Sequence, residues 1–199
     1  MLLSITGFTL GHSITLALAS LGYIQPAGEA IEALIGFTIL LVAYEALTVD
    51  EKNKYPFAFI ITLLIFILAL ISLFTGGNIN LMTWLGLVIF TFFYNILLED
   101  RKQAERLNPL ITVVFGLIHG FGFAGVLTEL GLPKDGLIVG LLGFNLGVEL
   151  GQILVISIVL IILFLLGKTY LARYKKLIYN LTGMSLIALG VFWFVGRSL

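Results

Sequence analysis

The sequence predicts an all-α fold, a polytopic transmembrane helical bundle of about seven spans forming a single transmembrane domain over residues 1–199. Three observations predict it. Hydrophobic residues make up 60% of the chain and charged residues only 11%. A water-surrounded core of this size cannot hide that much apolar surface, whereas a chain solvated by lipid has no need to. Several uncharged runs reach the ~18–20 residues needed to cross the hydrocarbon of a bilayer. Those runs are continuously apolar and lack the alternation of a transmembrane β-barrel.

The spans follow in order, at roughly residues 2–22, 30–48, 57–75, 80–98, 109–130, 137–166 and 177–196. Polar segments separate them: "GYIQPAGE", "VDEKNKYP", "TGGNIN", "EDRKQAERLNP", "GLPKDG" and "GKTYLARYKK" hold most of the Pro, Asn and charge. The third and fourth spans are joined only by the short "TGGNIN" and read as a transmembrane hairpin. No basic segment precedes the first apolar run and no small-residue cleavage site closes it, so that run is expected to remain as a span.

Seven spans place loops two, four and six on one side. Lys52, Lys54, Arg101, Lys102, Arg106, Lys168, Arg173, Lys175 and Lys176 lie there, against Lys134 and Arg197 on the other side. Basic residues collect in the cytoplasm, so Met1 is expected inside and Leu199 outside. One span more or fewer in the middle would scatter these residues over both faces. Tyr55, Tyr170, Tyr174 and Trp193 fall near span ends, as interfacial aromatics do.

Composition also narrows function. The net charge is zero, so no nucleic-acid partner is expected. There is no cysteine, which removes disulfides, thiolate metal sites and thiol catalysis together. No Walker-type glycine loop is present, so the chain has no ATPase of its own. The partners that remain are the lipid bilayer and small solutes.

An ionisable group in hydrocarbon costs about 2.5–3.5 kcal/mol on insertion scales, so each one needs a reason. The two histidines of the chain are in such places. His12 lies in "GFTLGHSITLALASLG" and His119 in "FGLIHGFGFAG". Each is about ten residues into an outward-running span, ~15 Å deep and near the midplane. The sixth span holds "GFNLGVELGQ", where Asn145, Glu149 and Gln152 at i, i+4 and i+7 share one helical face. Running inward from residue 137, that span brings Asn145 and Glu149 level with the histidines. His12, His119, Glu149 and Asn145 together form a nitrogen and oxygen donor set suited to nickel, cobalt or zinc, with Gln152 one turn further in. The same residues can equally act as polar glue between helices. Glu29 and Glu32 near the outer end of the second span and Glu45 near its inner end are candidates for a cation entrance and exit. Glu29 also suits the positive end of a helix dipole.

Gly116, Gly120, Gly122 and Gly125, and again Gly143, Gly147 and Gly151, have the small-xxx-small spacing that lets helices approach closely. The expectation is that the fifth and sixth spans meet through the Gly120 and Gly147 faces. A short internal repeat, F-x-x-x-H followed by a run ending in Leu-Gly, relates "FTLGHSITLALASLG" to "FGLIHGFGFAGVLTELG". Both copies start from the same side, so it would be a parallel repeat with the site between its copies, as in many transporters.

At these residues the sequence resembles the HupE/UreJ hydrogenase and urease accessory membrane proteins. The matching stretches are "GFTLGHSITLALASLG", "EALIGFTILLVAYE", "FGLIHGFGFAGVLTELGLP", "LLGFNLGVELGQ" and the terminal "GVFWFV", about half of the chain. The resemblance implies a permease for nickel, or alternatively cobalt, in the bacterial inner (plasma) membrane, serving metalloenzyme maturation and not itself an enzyme. Members of that family usually begin with a helix carrying His and, some residues on, Asp-His. This sequence opens at "MLLSITGFTLGH", beside the first matching motif, and a preceding helix with those ligands is expected to be missing. The third and fourth spans read as a hairpin inserted relative to shorter members. Two other functions stay open on the residues alone: an intramembrane enzyme or redox protein, for instance a haem protein with His12 and His119 as axial ligands, and an assembly subunit without a substrate site. No resident cofactor is expected beyond a bound or transported divalent metal (Ni, Co or Zn), and homo-oligomerisation is open.

Overall fold

In a computed structural model, residues 2–25, 27–48, 55–99, 101–129, 136–168 and 173–199 are described. Lys52, Lys54, Lys134 and Tyr170 lie outside them. Seven helices follow one another: α1 (Leu2–Ser20), α2 (Gly28–Thr48), α3 (Tyr55–Thr75), α4 (Leu81–Glu99), α5 (Arg101–Glu129), α6 (Leu137–Gly167) and α7 (Lys175–Ser198). The described residues contain no strand. Five helices (α1, α2, α5, α6 and α7) are long and apolar enough to cross a membrane. The α3 and α4 helices are apolar over the shorter stretches Phe59–Thr75 and Leu81–Leu97.

The helix ends follow local chemistry. Gly22 ends α1 with φ +79°, and the N–H of Tyr23 donates back to the Leu18 carbonyl at 2.9 Å. Gly76 ends α3 in the same way with φ +76°, and the Gly77 N–H reaches the Ser72 carbonyl at 2.8 Å. Both are left-handed glycine caps that satisfy carbonyls the helix leaves free. The Asn80 side chain then opens α4 by accepting from the Thr83 N–H at 2.9 Å. The α5 helix starts at Arg101, before the apolar run from residue 109, and carries Pro109 inside it. The segment "RKQAERL" consists of good helix formers, which carries the helix beyond the apolar run.

The chain packs as two compact units, Met1–Pro26 with Pro109–Ser185, and Ala27–Asn108 with Leu186–Leu199. In the first, α1 and α5 run parallel with their backbones touching. A Cβ added to Gly11 would sit 2.2 Å from the Val113 carbonyl oxygen, one on Gly116 2.1 Å from that of Phe8, and one on Gly120 2.3 Å from that of His12. Only glycine permits this approach. The α6 helix runs antiparallel to α1: Thr9 reaches Gln152, His12 reaches Phe144, and Leu16 packs with Ala124 and Leu141.

The glycine faces pair differently from the expectation. Gly120 meets His12 and Thr15 of α1, and a Cβ at Gly143, Gly147 or Gly151 would meet nothing within 4 Å. The reason is helical geometry. The Asn145–Glu149–Gln152 face lies nearly opposite the glycine stripe, and polar groups at membrane depth turn toward protein. The stripe is thereby turned outward.

In the second unit, α2 packs antiparallel on the C-terminal part of α7. A Cβ on Gly36 would lie 2.7 Å from the Phe194 nitrogen, and one on Gly190 2.8 Å from that of Leu40. Phe37, Trp84, Phe90 and Phe194 fill the core around this contact. The α3–α4 hairpin holds the end of α7. Ser72 Oγ donates to the Ser198 carbonyl at 2.7 Å, and Asn78 Nδ2 donates to that of Arg197 at 3.1 Å. The start of α2, the α3–α4 turn and the end of α7 therefore share one end of this unit, as alternating span directions require.

Candidate metal centre

His12 is buried in the first unit, with 1% of its surface exposed. Three phenylalanines enclose it. Phe8, one turn earlier on α1, stacks on the imidazole at 6.1 Å with ring planes within 18°, and Phe144 of α6 stacks at 6.0 Å and 17°. Phe123 of α5 meets it edge-on at 5.4 Å. Among the described residues, neither ring nitrogen has a hydrogen-bond partner. Burying a polar group without a partner is costly, and the cost recurs at few places in a native fold.

His119 is half-buried on α5. Its Nδ1 lies 2.9 Å from the Phe115 carbonyl oxygen one turn earlier. A carbonyl can only accept, so Nδ1 carries the proton and Nε2 keeps its lone pair. This is the arrangement that prepares a histidine for ligation, one nitrogen anchored and the other available. Its ring is 5.1 Å from that of Phe8. With Phe8 also 6.1 Å from His12, the imidazoles can be no more than about 11 Å apart, the sum of the two distances.

On α6, Asn145 Nδ2 donates to the Leu141 carbonyl at 2.8 Å, while its Oδ1 is buried without a partner. Glu149 is half-buried one turn on and makes no hydrogen bond or ion pair among the described residues. Gln152 Oε1 accepts from Thr9 Oγ1 at 3.5 Å, which ties the polar face of α6 to α1. Helix direction puts the set at one level: His12 lies beside Gly116 and Gly120 on α5 and beside Phe144 on α6. The grouping is loose. Among the described residues no three His, Asp or Glu side chains are gathered so as to hold a metal.

The three glutamates expected to lead a cation in and out belong to the second unit. Glu29 is exposed in the first turn of α2. Glu32 is paired with Arg197, Oε2 to Nε at 2.7 Å, both about half exposed. Glu45 accepts a short hydrogen bond from the Tyr94 hydroxyl. Sequence reasoning missed both partners, and also the phenylalanine cage. Phe8 had a signal, because its spacing of four from His12 puts the two on one helix face. Phe123 and Phe144 reach His12 only through the packing of three helices.

A family model described as "HupE / UreJ protein" matches the chain over residues 1–75 and 55–197. Neither curated proteins nor solved structures gave a match. The two matched stretches span α1 through nearly the end of α7 and include every residue of the candidate centre. The chain is a membrane protein of the HupE/UreJ family.

Proposed function

We propose that this chain is a permease for a divalent transition metal, nickel first and cobalt second, that supplies metalloenzyme maturation from the bacterial inner membrane. The observation that carries this reading is His12, an imidazole enclosed by protein with both nitrogens unpartnered. A ligand that binds there offsets the cost of burying an unpartnered imidazole. His119 Nε2 and Asn145 Oδ1 are further donors on the neighbouring helices, and Glu149 supplies the negative charge. Imidazole, amide and carboxylate suit nickel, cobalt and zinc, and family membership favours nickel. The loose grouping of donors fits a carrier, because an ion held by a tight cage would not be released.

In this reading Met1 faces the cytoplasm, and the ion is held at mid-depth and passes when the helices rock. Ligation needs neutral imidazole, so binding weakens as pH falls through the histidine pKa. Uptake of radioactive nickel into proteoliposomes tests the proposal. The purified chain is expected to accumulate nickel, and His12→Ala, His119→Ala and Glu149→Gln are each expected to reduce the rate at least tenfold. Uptake at the unmodified rate in all three would leave these residues as interhelical glue.

A further inference from the structure

Among the described residues, Phe8 has the ring in contact with both imidazoles. Its ring lies 6.1 Å from that of His12 and 5.1 Å from that of His119. Among the described residues no ring contact joins the two imidazoles to each other. Phe123 and Phe144 differ from Phe8. They brace one another at 5.6 Å and contact His12, forming a wall across α5 and α6.

Two imidazoles that share one ion, each nitrogen about 2 Å from it, have ring centroids roughly 6 Å apart. Rings that close are neighbours, and here each is the neighbour of Phe8 instead. Phe8 is half-buried and held by ring contacts, not by hydrogen bonds of its side chain. Its backbone is fixed, because α5 presses on the Phe8 carbonyl at Gly116. The freedom at this position therefore belongs to the side chain.

We infer that Phe8 is the gate of the two-histidine site. Its ring, in contact with both imidazoles, keeps them from closing on one ion, and an ion is accepted when the ring swings out and the imidazoles close on it. The inference rests on the proposed site, and it makes Phe8 a positioning residue for that site. A protein whose binding-competent form is a minor one shows an affinity lowered by that fraction, and removing the wedge restores it. Damage to packing would instead weaken binding, so a gain is diagnostic.

The test is titration of the purified chain in detergent with Co²⁺, read by its d–d absorption, together with stopped-flow association. Phe8→Ala is expected to bind Co²⁺ about tenfold more tightly, through faster association, and Phe8→Leu, which keeps more of the volume, to gain less. His12→Ala and His119→Ala are expected to lose the signal. If both histidine variants lose it while Phe8→Ala and Phe8→Leu bind no better than the unmodified chain, the gate is wrong and the site stands. If Phe8→Ala does not fold, Phe8→Leu decides alone. No Co²⁺ binding by the unmodified chain, or undiminished binding in both histidine variants, removes the two-histidine site and the gate with it.

Discussion

His12 works against the stability of its own unit. A buried polar group without a partner costs about 1–3 kcal/mol, and apolar replacement of similar size removes that cost. His12→Leu is therefore expected to unfold at the same or a higher temperature than the unmodified chain, measured in detergent, while losing metal binding. A clear fall in the unfolding temperature would mean that the imidazole holds the fold together. Functional residues commonly conflict with local stability in this way. The sequence exposed His12 and His119 because an imidazole deep in an uncharged run has no inexpensive explanation. It left their surroundings hidden, since Phe123 and Phe144 are ordinary apolar residues until three helices bring them to His12. Glu32 and Glu45 show the same limit: their positions near the ends of α2 were legible, but Arg197 and Tyr94 come from distant chain.

Helix–helix contacts decide which glycines matter. Gly116 supports the α1–α5 contact, where an added Cβ would fall 2.1 Å from a backbone oxygen that has no rotamer to escape into. Gly116→Ala is expected to cost about 1–3 kcal/mol or more through overpacking. Gly147 faces open space, so Gly147→Ala is expected to stay within about 0.5 kcal/mol of the unmodified chain. Unfolding in a denaturing detergent series compares them, and equal losses in both would contradict the packing. Spacing alone could not rank these glycines, since small-xxx-small runs occur on both α5 and α6. What separates them is the polar face of α6: once Asn145 and Gln152 turn inward, Gly143, Gly147 and Gly151 must turn outward. Apart from the start of α5, the helix ends were legible to within two residues, because long apolar runs and glycine or proline breaks are strong local signals. The early start of α5 at Arg101 was not, since hydropathy reports where a helix meets lipid and not where it begins.

For the molecule as a whole, we propose a cytoplasmic Met1 and an outer Leu199, on the nine-to-two division of basic residues in the sequence. A reporter active only in the cytoplasm is expected to be silent when fused at Leu199, and bright when fused within the segment after α2. The reverse pattern would invert the topology. In the proposed function, the two histidines of this chain take hold of one metal ion. X-ray absorption at the nickel edge of the nickel-loaded, purified chain tests it most directly. A single bound nickel is expected, with the scattering of two imidazoles, one of them lost in each of His12→Ala and His119→Ala. A spectrum without imidazole scattering, or one unchanged by either substitution, would contradict it.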